Sequence, residues 1–376
     1  MTNFMLFALF GGMCLLLHGM RLAGEGLQLA AGARLRHYLS TLTKSRLRGM
    51  VVGTFVTAVI QSSTATTVML VSLVNSGFMN LTQAMGVIVG ADIGTTLTVQ
   101  LLAFKIFDYA LLLIGVGFLL RVLPKGRLYQ YFGQALMGFG FIFFSIKIMA
   151  DAMVPLRTNP HFTALIANLE DQPLLGILLA ALFSALVHSS AATIGIALTL
   201  AIQGVMPLAA AIPIILGANV GTCATALASS LGTSVEAKRV AMAHTLFKVL
   251  GVILFYPFME PFARLVAQTS ADVPRQIANA HTLFNVILAF AFLPFMSLGV
   301  RILRVLVPDV PEAEGTFRPR YLDEKILETP AMALSQATRE ALRMGDIVSE
   351  MLRRSIETFE RPDLEKIEAI EQRDDQ

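Results

Sequence analysis

The sequence predicts an all-α membrane protein with two inverted-topology repeats that contain re-entrant or discontinuous helices, followed by short soluble C-terminal helices. Hydrophobic residues make up 55% of the 376 residues and charged residues only 15%, and the mean hydropathy is +0.67. A soluble domain of this size is less apolar and carries more charge. Apolar stretches of nearly bilayer-spanning length recur as far as residue 306, and one polar pattern occurs twice within them.

The apolar stretches follow one another along most of the chain. The first, at residues 4–17, has neither a basic region before it nor a convincing cleavage site, so we expect a retained helix and not a signal peptide. A basic stretch at 34–48 is predicted to lie on the cytoplasmic side. Cys14 and Cys223 fall in apolar segments, where we expect buried thiols and no disulfide. The later apolar segments lie at approximately 49–75, 81–104, 107–123, 128–150, 173–203, 206–231, 238–258 and 276–300.

One part of the chain is repeated. Residues 61–98 align without a gap onto residues 188–225, at an offset of 127 residues. Serine, threonine and glycine are prominent among the identical positions, whereas chance similarity between apolar helices would favour leucine, alanine and valine. Internal repeats are typical of transporter folds. We therefore place repeat 1 at about 47–104 and repeat 2 at about 172–231, within a transmembrane domain that covers 1–305.

Charged residues around the repeats indicate that the two copies have opposite orientations. Lys44, Arg46 and Arg48 precede the first copy, whereas Glu170 and Asp171 precede the second. Because basic loops stay on the cytoplasmic side, the copies are predicted to start on opposite sides of the membrane. Inverted repeats place their ion and substrate sites near the bilayer midplane, where the two copies meet.

The chain changes character after the last apolar segment. Residues 306–320 contain several prolines and are predicted to be a linker, whereas residues 321–376 are rich in charge. Apolar residues recur at helical spacing before a break at Pro362, and a second helix is predicted to start near Leu364. Because one helix and a fragment cannot bury a core, we expect this soluble segment to be the truncated start of a cytoplasmic helical domain.

The first paired motif is a cluster of hydroxyl-bearing residues. Hydroxyl oxygens and freed backbone carbonyls suit a small cation such as Na⁺, and amides at a half-helix N-terminus suit an anion. Such hydroxyls also commonly bond to the preceding helical turn or to a neighbouring helix, but their recurrence in both repeats favours a binding site. The candidate residues are Gln61, Ser62, Ser63, Thr64 and Thr66 in repeat 1, and His188, Ser189, Ser190 and Thr193 in repeat 2.

The second paired motif lies at 90–96 and 217–223 and places a polar residue between glycines. We expect the glycines to unwind the helix, and Asp92 or Asn219 to cap the half-helix that follows. Close packing of helices through small residues is the alternative. Thr95, Thr96 and Thr222 add hydroxyls to the candidate binding site.

Asp92 is an acidic residue within a predicted span, where a carboxylate is costly unless it meets a cation or a proton. We assign it to Na⁺ or H⁺ coupling, and a solvated cap at the edge of a vestibule is the alternative. Neither motif contains arginine or lysine, so an anionic substrate is expected to depend on co-bound cations and helix dipoles. The predicted Na⁺ ligands are Ser62, Ser63, Asp92, Ser189, Ser190 and Asn219.

Two further segments, at 243–248 and 280–285, resemble each other and each contain a histidine. We expect His244 and His281 to pack against the repeat core. The sequence lacks metal-ligand spacing, a nucleophile elbow, a Walker motif and a dinucleotide fingerprint. We therefore expect neither enzyme activity nor a cofactor. The expected coupling ion is Na⁺.

At these motifs the sequence resembles the type II sodium-dependent phosphate cotransporters, over roughly residues 1–305. In that family each of two inverted repeats carries a Gln-Ser-Ser-Ser motif followed by a Gly-x-Asn-Ile-Gly-Thr element. The tail from about residue 321 resembles the start of the PhoU-like domain of some bacterial members. The sequence departs from the family pattern at Thr64, His188, Ala191 and Asp92. The resemblance implies that the Na⁺ and phosphate sites are lined by Gln61, Ser62, Ser63, Thr64, Ser189 and Ser190.

Together these features predict a secondary active transporter that couples Na⁺ to the movement of inorganic phosphate by alternating access. A phosphate exporter, a carrier of another small anion, and a membrane-bound phosphate sensor without transport are the alternatives. The expected location is the bacterial inner membrane, with several spans and a cytoplasmic C-terminal segment. The net charge of only +3 argues against nucleic acid as a partner, and a homodimer is compatible with the sequence.

Overall fold

The computed structural model describes residues 3–32, 34–43, 45–104, 106–309, 322 and 330–360. Within these ranges the regular structure is helical, which confirms the all-α prediction. The first helices are α1 (Asn3–Ala31), α2 (Arg34–Thr41), α3 (Arg46–Ile60), α4 (Ser63–Asn75), α5 (Leu81–Gly94), α6 (Thr96–Leu102) and α7 (Ala110–Val122).

The same order of helices occurs again in the next part of the chain. The bounds of α3 to α6 recur in α10 to α13 at the offset of 127 residues seen in the sequence. Helices α1, α2 and α7 have counterparts at nearly the same spacing, so the repeated order of helices extends beyond the aligned segment. These helices are α8 (Arg127–Met153), α9 (Pro160–Asp171), α10 (Pro173–Val187), α11 (Ser190–Ile202), α12 (Leu208–Gly221), α13 (Cys223–Ser229) and α14 (Val235–Phe255).

The remaining helices complete the transmembrane part and form the C-terminal segment. They are α15 (Met259–Ala267), α16 (Val273–Phe292), α17 (Met296–Leu306) and α18 (Pro330–Glu360). The greater part of the predicted linker and the helix predicted after Pro362 lie outside the described residues.

The apolar segment at 49–75 is not one span, because it divides at Gln61. Gln61 has a left-handed backbone (φ 61°), which ends α3, and Ser62 then caps the start of α4. Gly90 packs on Met50 and Gly94 on Thr54, so α3 and α5 run parallel. Because α4 leads from the end of α3 to the start of α5, it runs back along them. Helices α3 and α4 therefore form a re-entrant hairpin.

The second repeat folds in the same way. His188 has a left-handed backbone (φ 55°) between α10 and α11, and Ser189 caps α11. Gly217 packs on Ile177 and Gly221 on Ala181, so α10 and α12 also run parallel. The equivalent glycines thus make the equivalent contacts in both copies.

The expectation that the glycine motifs unwind the helix is wrong. The motif residues up to Gly94 and Gly221 lie within α5 and α12, and the helices are interrupted only at Thr95 and Thr222, whose backbones keep right-handed helical angles. A Cβ atom on Gly90 would lie 2.0 Å from the carbonyl oxygen of Met50. The glycines therefore allow close helix packing, which was the alternative interpretation.

Helices α1 and α8 pack against each other in opposite directions. Gly12 lies against Met149, Gly19 against Ile142, and Gly26 against Ala135. Since α1 and α8 hold equivalent places in the two repeats, their antiparallel packing agrees with an inverted relation between the copies.

Among the described residues, six helical segments are long and apolar enough to cross a membrane, or up to seven if the pair α9 and α10, bent by 104°, is one span. Large apolar side chains such as Phe4, Phe7 and Phe10 are exposed on the outer surface. Such a surface fits a lipid environment, and the chain is a multi-pass membrane protein. Both cysteines are free, and Cys223 is buried as expected, but Cys14 is exposed on the outer face of α1.

Candidate functional site

The tips of the two re-entrant hairpins are built in the same way. The side chain of Ser62 accepts a hydrogen bond from the amide of Ala65 at 3.1 Å, and Ser189 accepts one from Ala192 at 3.1 Å. Thr66 and Thr193 each donate to the carbonyl of the capping serine at 3.1 Å. The two threonine hydroxyls thus bond to the preceding turn, while the two serines define where the helices begin.

Each hairpin tip is tied to the short helix of its own repeat. Thr98 in α6 donates to the side-chain oxygen Oε1 of Gln61 at 2.8 Å. In the second repeat, Oγ1 of Thr225 lies 2.7 Å from Nδ1 of His188, which is the equivalent hydrogen bond. The replacement of glutamine by histidine in the second motif therefore keeps the contact that holds the tip.

Amide groups at the start of α4 and α11 are free to meet a ligand. The amides of Ser63 and Thr64, and those of Ser190 and Ala191, have no backbone acceptor within the described part of the chain. These are first-turn positions, where a helix leaves its amides unpaired and its dipole is positive. Two such helix starts present a suitable environment for an anion.

The helices that begin at the two serine motifs pack on the opposite repeat. Helix α4 packs against α13 and α14, and α11 packs against α6 and α16. The two hairpins therefore enter the interface between the repeats. Among the described residues, no hydrogen bond joins residues 61–67 directly to residues 188–193.

Asp92 and Asn219 lie within helices and are not helix caps. Both line a small cavity of about 20 Å³ between the repeats, large enough for a water molecule, together with Lys248 of α14 and Asn285 of α16. Thr96 and Thr222 donate to the carbonyls of Ile93 and Asn219, each at 2.8 Å. Thr95 is buried next to Thr96 in the same break between helices. The second motif therefore supplies side chains to a shared central cavity.

Lys248 is the charged partner of Asp92. Its Nζ lies 3.0 Å from Oδ1 of Asp92, and it donates to Oγ1 of Thr222 at 3.1 Å. The lysine side chain is 3% exposed and that of Asp92 is 12% exposed. Nε2 of His244 lies 3.6 Å from the same carboxylate oxygen. The ammonium therefore connects repeat 1, repeat 2 and α14 at one buried point, and the picture of Asp92 as a solvated cap is wrong.

The predictions from sequence did not include Lys248 among the site residues, although the sequence distinguishes it. The segment 243–248 ends in lysine where the similar segment 280–285 ends in asparagine. A lysine in the middle of a predicted span is as costly as an aspartate there, and each is the natural partner of the other. His244 and His281 are fully buried in the same region, as expected for residues that pack against the repeat core.

Several buried polar atoms around the cavity lack a hydrogen-bond partner within the described residues. They include Oδ1 of Asn219 and the ring nitrogens of His244 and His281. Asn219 donates through Nδ2 to the carbonyl of Ile215 at 2.9 Å, so its oxygen is the part left for a ligand. Unpaired buried oxygens of this kind are costly and mark places where an ion or water fits.

Comparisons with known proteins agree with these features. The family model described as Na+/Pi-cotransporter matches residues 15–151 and 154–273, which is more than half of the chain. A PhoU domain model matches residues 341–376. No solved structure matches the chain.

The curated relatives include proteins named for phosphate export or phosphate transport. The "Putative inorganic phosphate export protein YjbB" of Salmonella typhimurium is 30% identical over 344 residues, 92% of this chain. The chain spans only 63% of that relative's length. The "Uncharacterized protein YqeW" of Bacillus subtilis is 30% identical over 256 residues, 68% of this chain and 83% of YqeW. The human "Sodium-dependent phosphate transport protein 2B" is 28% identical over 165 residues, 39% of this chain and 24% of that protein.

The family model matches more than half of the chain, which is enough to assign the chain to that family. The two serine-capped hairpins are consistent with this assignment. The chain belongs to the Na+/Pi-cotransporter family, a family of transporters and not of enzymes.

Proposed function

We propose that this chain carries inorganic phosphate across the membrane with Na⁺ as the coupling ion, by alternating access. The observation that supports the proposal best is the pair of serine-capped hairpins, each of which packs against the opposite repeat. Half-helices that meet at the interface of inverted repeats are where secondary transporters hold their ions and substrates.

Phosphate binds, in this proposal, at the starts of α4 and α11. The unpaired amides at Ser63 and Ser190 and the positive helix ends attract an anion without any arginine or lysine in the motifs. The charge that remains on phosphate is balanced by bound Na⁺. Removal of the cation should therefore weaken phosphate binding as well as transport.

Na⁺ binds, in this proposal, to hydroxyl and amide oxygens near the hairpin tips. Ser62, Ser63, Ser189 and Ser190 supply hydroxyls, and Asn219 supplies a buried oxygen without a partner within the described residues. Oxygen ligands are the ones that hard cations prefer.

The direction of transport is the point on which a second candidate differs. The relative from Salmonella typhimurium is named for phosphate export, and an exporter with the same site is the second candidate. A symporter can run in either direction, and the gradients of Na⁺ and phosphate decide which direction occurs.

Radiolabelled phosphate flux in proteoliposomes tests the proposal. We expect uptake that is accelerated by an inward Na⁺ gradient and that an equal K⁺ gradient does not drive. Loaded vesicles with an outward Na⁺ gradient measure export in the same preparation. Uptake that is indifferent to Na⁺ would refute the coupling, and phosphate binding without flux in either direction would instead identify a sensor.

Serine variants test the assigned site. Ser62→Ala and Ser189→Ala should each raise the Na⁺ concentration needed for half-maximal uptake, whereas Ser62→Thr keeps both the hydroxyl and the cap. Ser145→Ala is a matched control, because Ser145 is buried in α8 and bonds only to the carbonyl of Ile142 among the described residues. Unchanged Na⁺ dependence in both alanine variants would remove these serines from the site.

A further inference from the structure

Four polar side chains of the central cavity form two internally equivalent pairs. Asp92 and Asn219 hold the same position in the two repeats, and Lys248 and Asn285 hold the same position in the segments 243–248 and 280–285. In each pair one member is a neutral amide and the other is charged. The two charged members have opposite signs and lie 3.0 Å apart. The carboxylate and the ammonium therefore neutralise each other as an ion pair.

The ammonium of Lys248 lies where a coupling cation would be expected. It is 3.0 Å from a carboxylate oxygen of repeat 1 and 3.1 Å from a threonine oxygen of repeat 2. The hydroxyl proton of Thr222 points to the carbonyl of Asn219, so its lone pair faces the lysine. Carboxylate and hydroxyl oxygens from both repeats are the ligands predicted for Na⁺. Here a covalently attached ammonium lies at ion-pair distance from the carboxylate and donates a hydrogen bond to the hydroxyl.

We propose that Lys248 is a built-in cation that replaces one Na⁺ at Asp92 and so sets the number of coupling ions. The inference rests on the proposed Na⁺-coupled function and deepens it. Na⁺ then binds at the hydroxyl clusters and at Asn219 but not at Asp92. Each transported phosphate requires one Na⁺ fewer than it would if residue 248 were neutral.

Direct counting of bound Na⁺ tests the inference without any measurement of flux. Purified full-length chain is titrated with ²²Na⁺ to saturation in a scintillation proximity assay, without phosphate. The wild type and Asp92→Asn should bind equal numbers of Na⁺, because the lysine already occupies the position. A loss of one Na⁺ in Asp92→Asn would overturn the inference.

Replacement of Lys248 should change the number of bound Na⁺, unlike replacement of Asp92. Lys248→Asn should bind one Na⁺ more than the wild type, and Asp92→Asn/Lys248→Asn should lose it again. Lys147→Asn is the control, since Lys147 pairs with Asp108 on the surface of α8 and does not line the cavity. A Lys248→Asn protein that elutes as folded and binds no extra Na⁺ would overturn the inference. If this variant does not fold, the comparison of Asp92→Asn with the wild type decides alone.

The outcome is separable from the test of the proposed function. Absence of Na⁺-driven uptake in the wild type would refute the proposed function, while the number of Na⁺ bound by the variants would still be measured. Conversely, Na⁺-driven uptake with one Na⁺ fewer bound in Asp92→Asn than in the wild type would retain the proposed function and reject the role of Lys248.

Discussion

Replacement of Gly90 by alanine is expected to destabilise the protein and to displace the first hairpin. A Cβ atom at this position would lie 2.0 Å from the carbonyl oxygen of Met50, and the three nearest atoms all belong to the backbone of that residue. No side-chain rotation can relieve such a contact. Helices α3 and α5 must instead move apart by about 1 Å to reach the shortest separations that real Cβ atoms show.

The expected magnitude follows from two opposing terms. Overpacking in a close-packed region costs about 1–3 kcal/mol, whereas alanine gains about 1 kcal/mol over glycine in helix propensity. Because the clash involves backbone, we expect the upper part of the first range and a net loss of about 2 kcal/mol. The same displacement should weaken the bond from Thr98 to Gln61, so phosphate uptake should fall as well.

Thermal unfolding of the purified protein in detergent measures the effect. Gly217→Ala should be destabilised in the same way as Gly90→Ala, because its Cβ atom would lie 2.1 Å from the carbonyl oxygen of Ile177. Gly115→Ala in α7 is the control, since nothing lies within 4 Å of its Cβ position. We expect this control to be as stable as the wild type or more so. Full stability of Gly90→Ala and Gly217→Ala would refute the close packing of the parallel helices.

Three further predictions follow from individual contacts. Thr98→Val removes the hydrogen bond to Gln61 and should cost about 1 kcal/mol of stability in thermal unfolding, with slower phosphate uptake. Arg339→Ala removes the hydrogen bonds to the carbonyls of Ser76 and Gly77, so α18 should become more sensitive to limited proteolysis. In Na⁺-free buffer, Asp92→Asn and Lys248→Asn should each cost about 3–5 kcal/mol, because a buried charge is left alone, and the double variant should cost much less than their sum.

The threonine and arginine predictions each have a matched control variant. Thr163→Val removes a hydroxyl that, among the described residues, bonds only within the start of α9, and it should leave uptake unchanged. Arg353→Ala removes an exposed side chain of α18 and should not alter proteolysis. Equal protease sensitivity of the Arg339 and Arg353 variants would refute the docking of α18 on the loop between α4 and α5. Additive losses for the two cavity charges would show that they do not act as a pair.

The repeat was the part of the fold that sequence alone could establish, because polar matches at a constant offset do not arise from hydrophobicity. The sequence did not locate where the helices break. Glycine permits both unwinding and close approach, and only the partner helix decides between them. The actual break at Gln61 and His188 depends on a left-handed backbone that neither residue type predicts.

The composition of the central cavity was only partly predictable for a related reason. Asp92 and Asn219 were identified because they lie inside repeated motifs. Lys248 lies outside the repeat alignment. Its ion pair with Asp92 joins helices that are far apart in the chain, so sequence alone does not reveal it. A comparison of the two segments at 243–248 and 280–285 shows the substitution, but its role becomes visible only when all four side chains line one cavity.

The two repeats differ less at the hairpin tips than their sequences imply, and more at the cavity. Glutamine at 61 and histidine at 188 both adopt the left-handed backbone and both bond to the equivalent threonine. The tip geometry is thus preserved although the side chain is not. At the cavity the helix bounds correspond at the same offset of 127 residues, yet one copy carries a carboxylate where the other carries an amide. A pseudosymmetric scaffold therefore holds an asymmetric charge, and that charge is compensated by a lysine from outside the pair of hairpins. A relative with neutral residues at both positions would offer this lysine no carboxylate with which to pair.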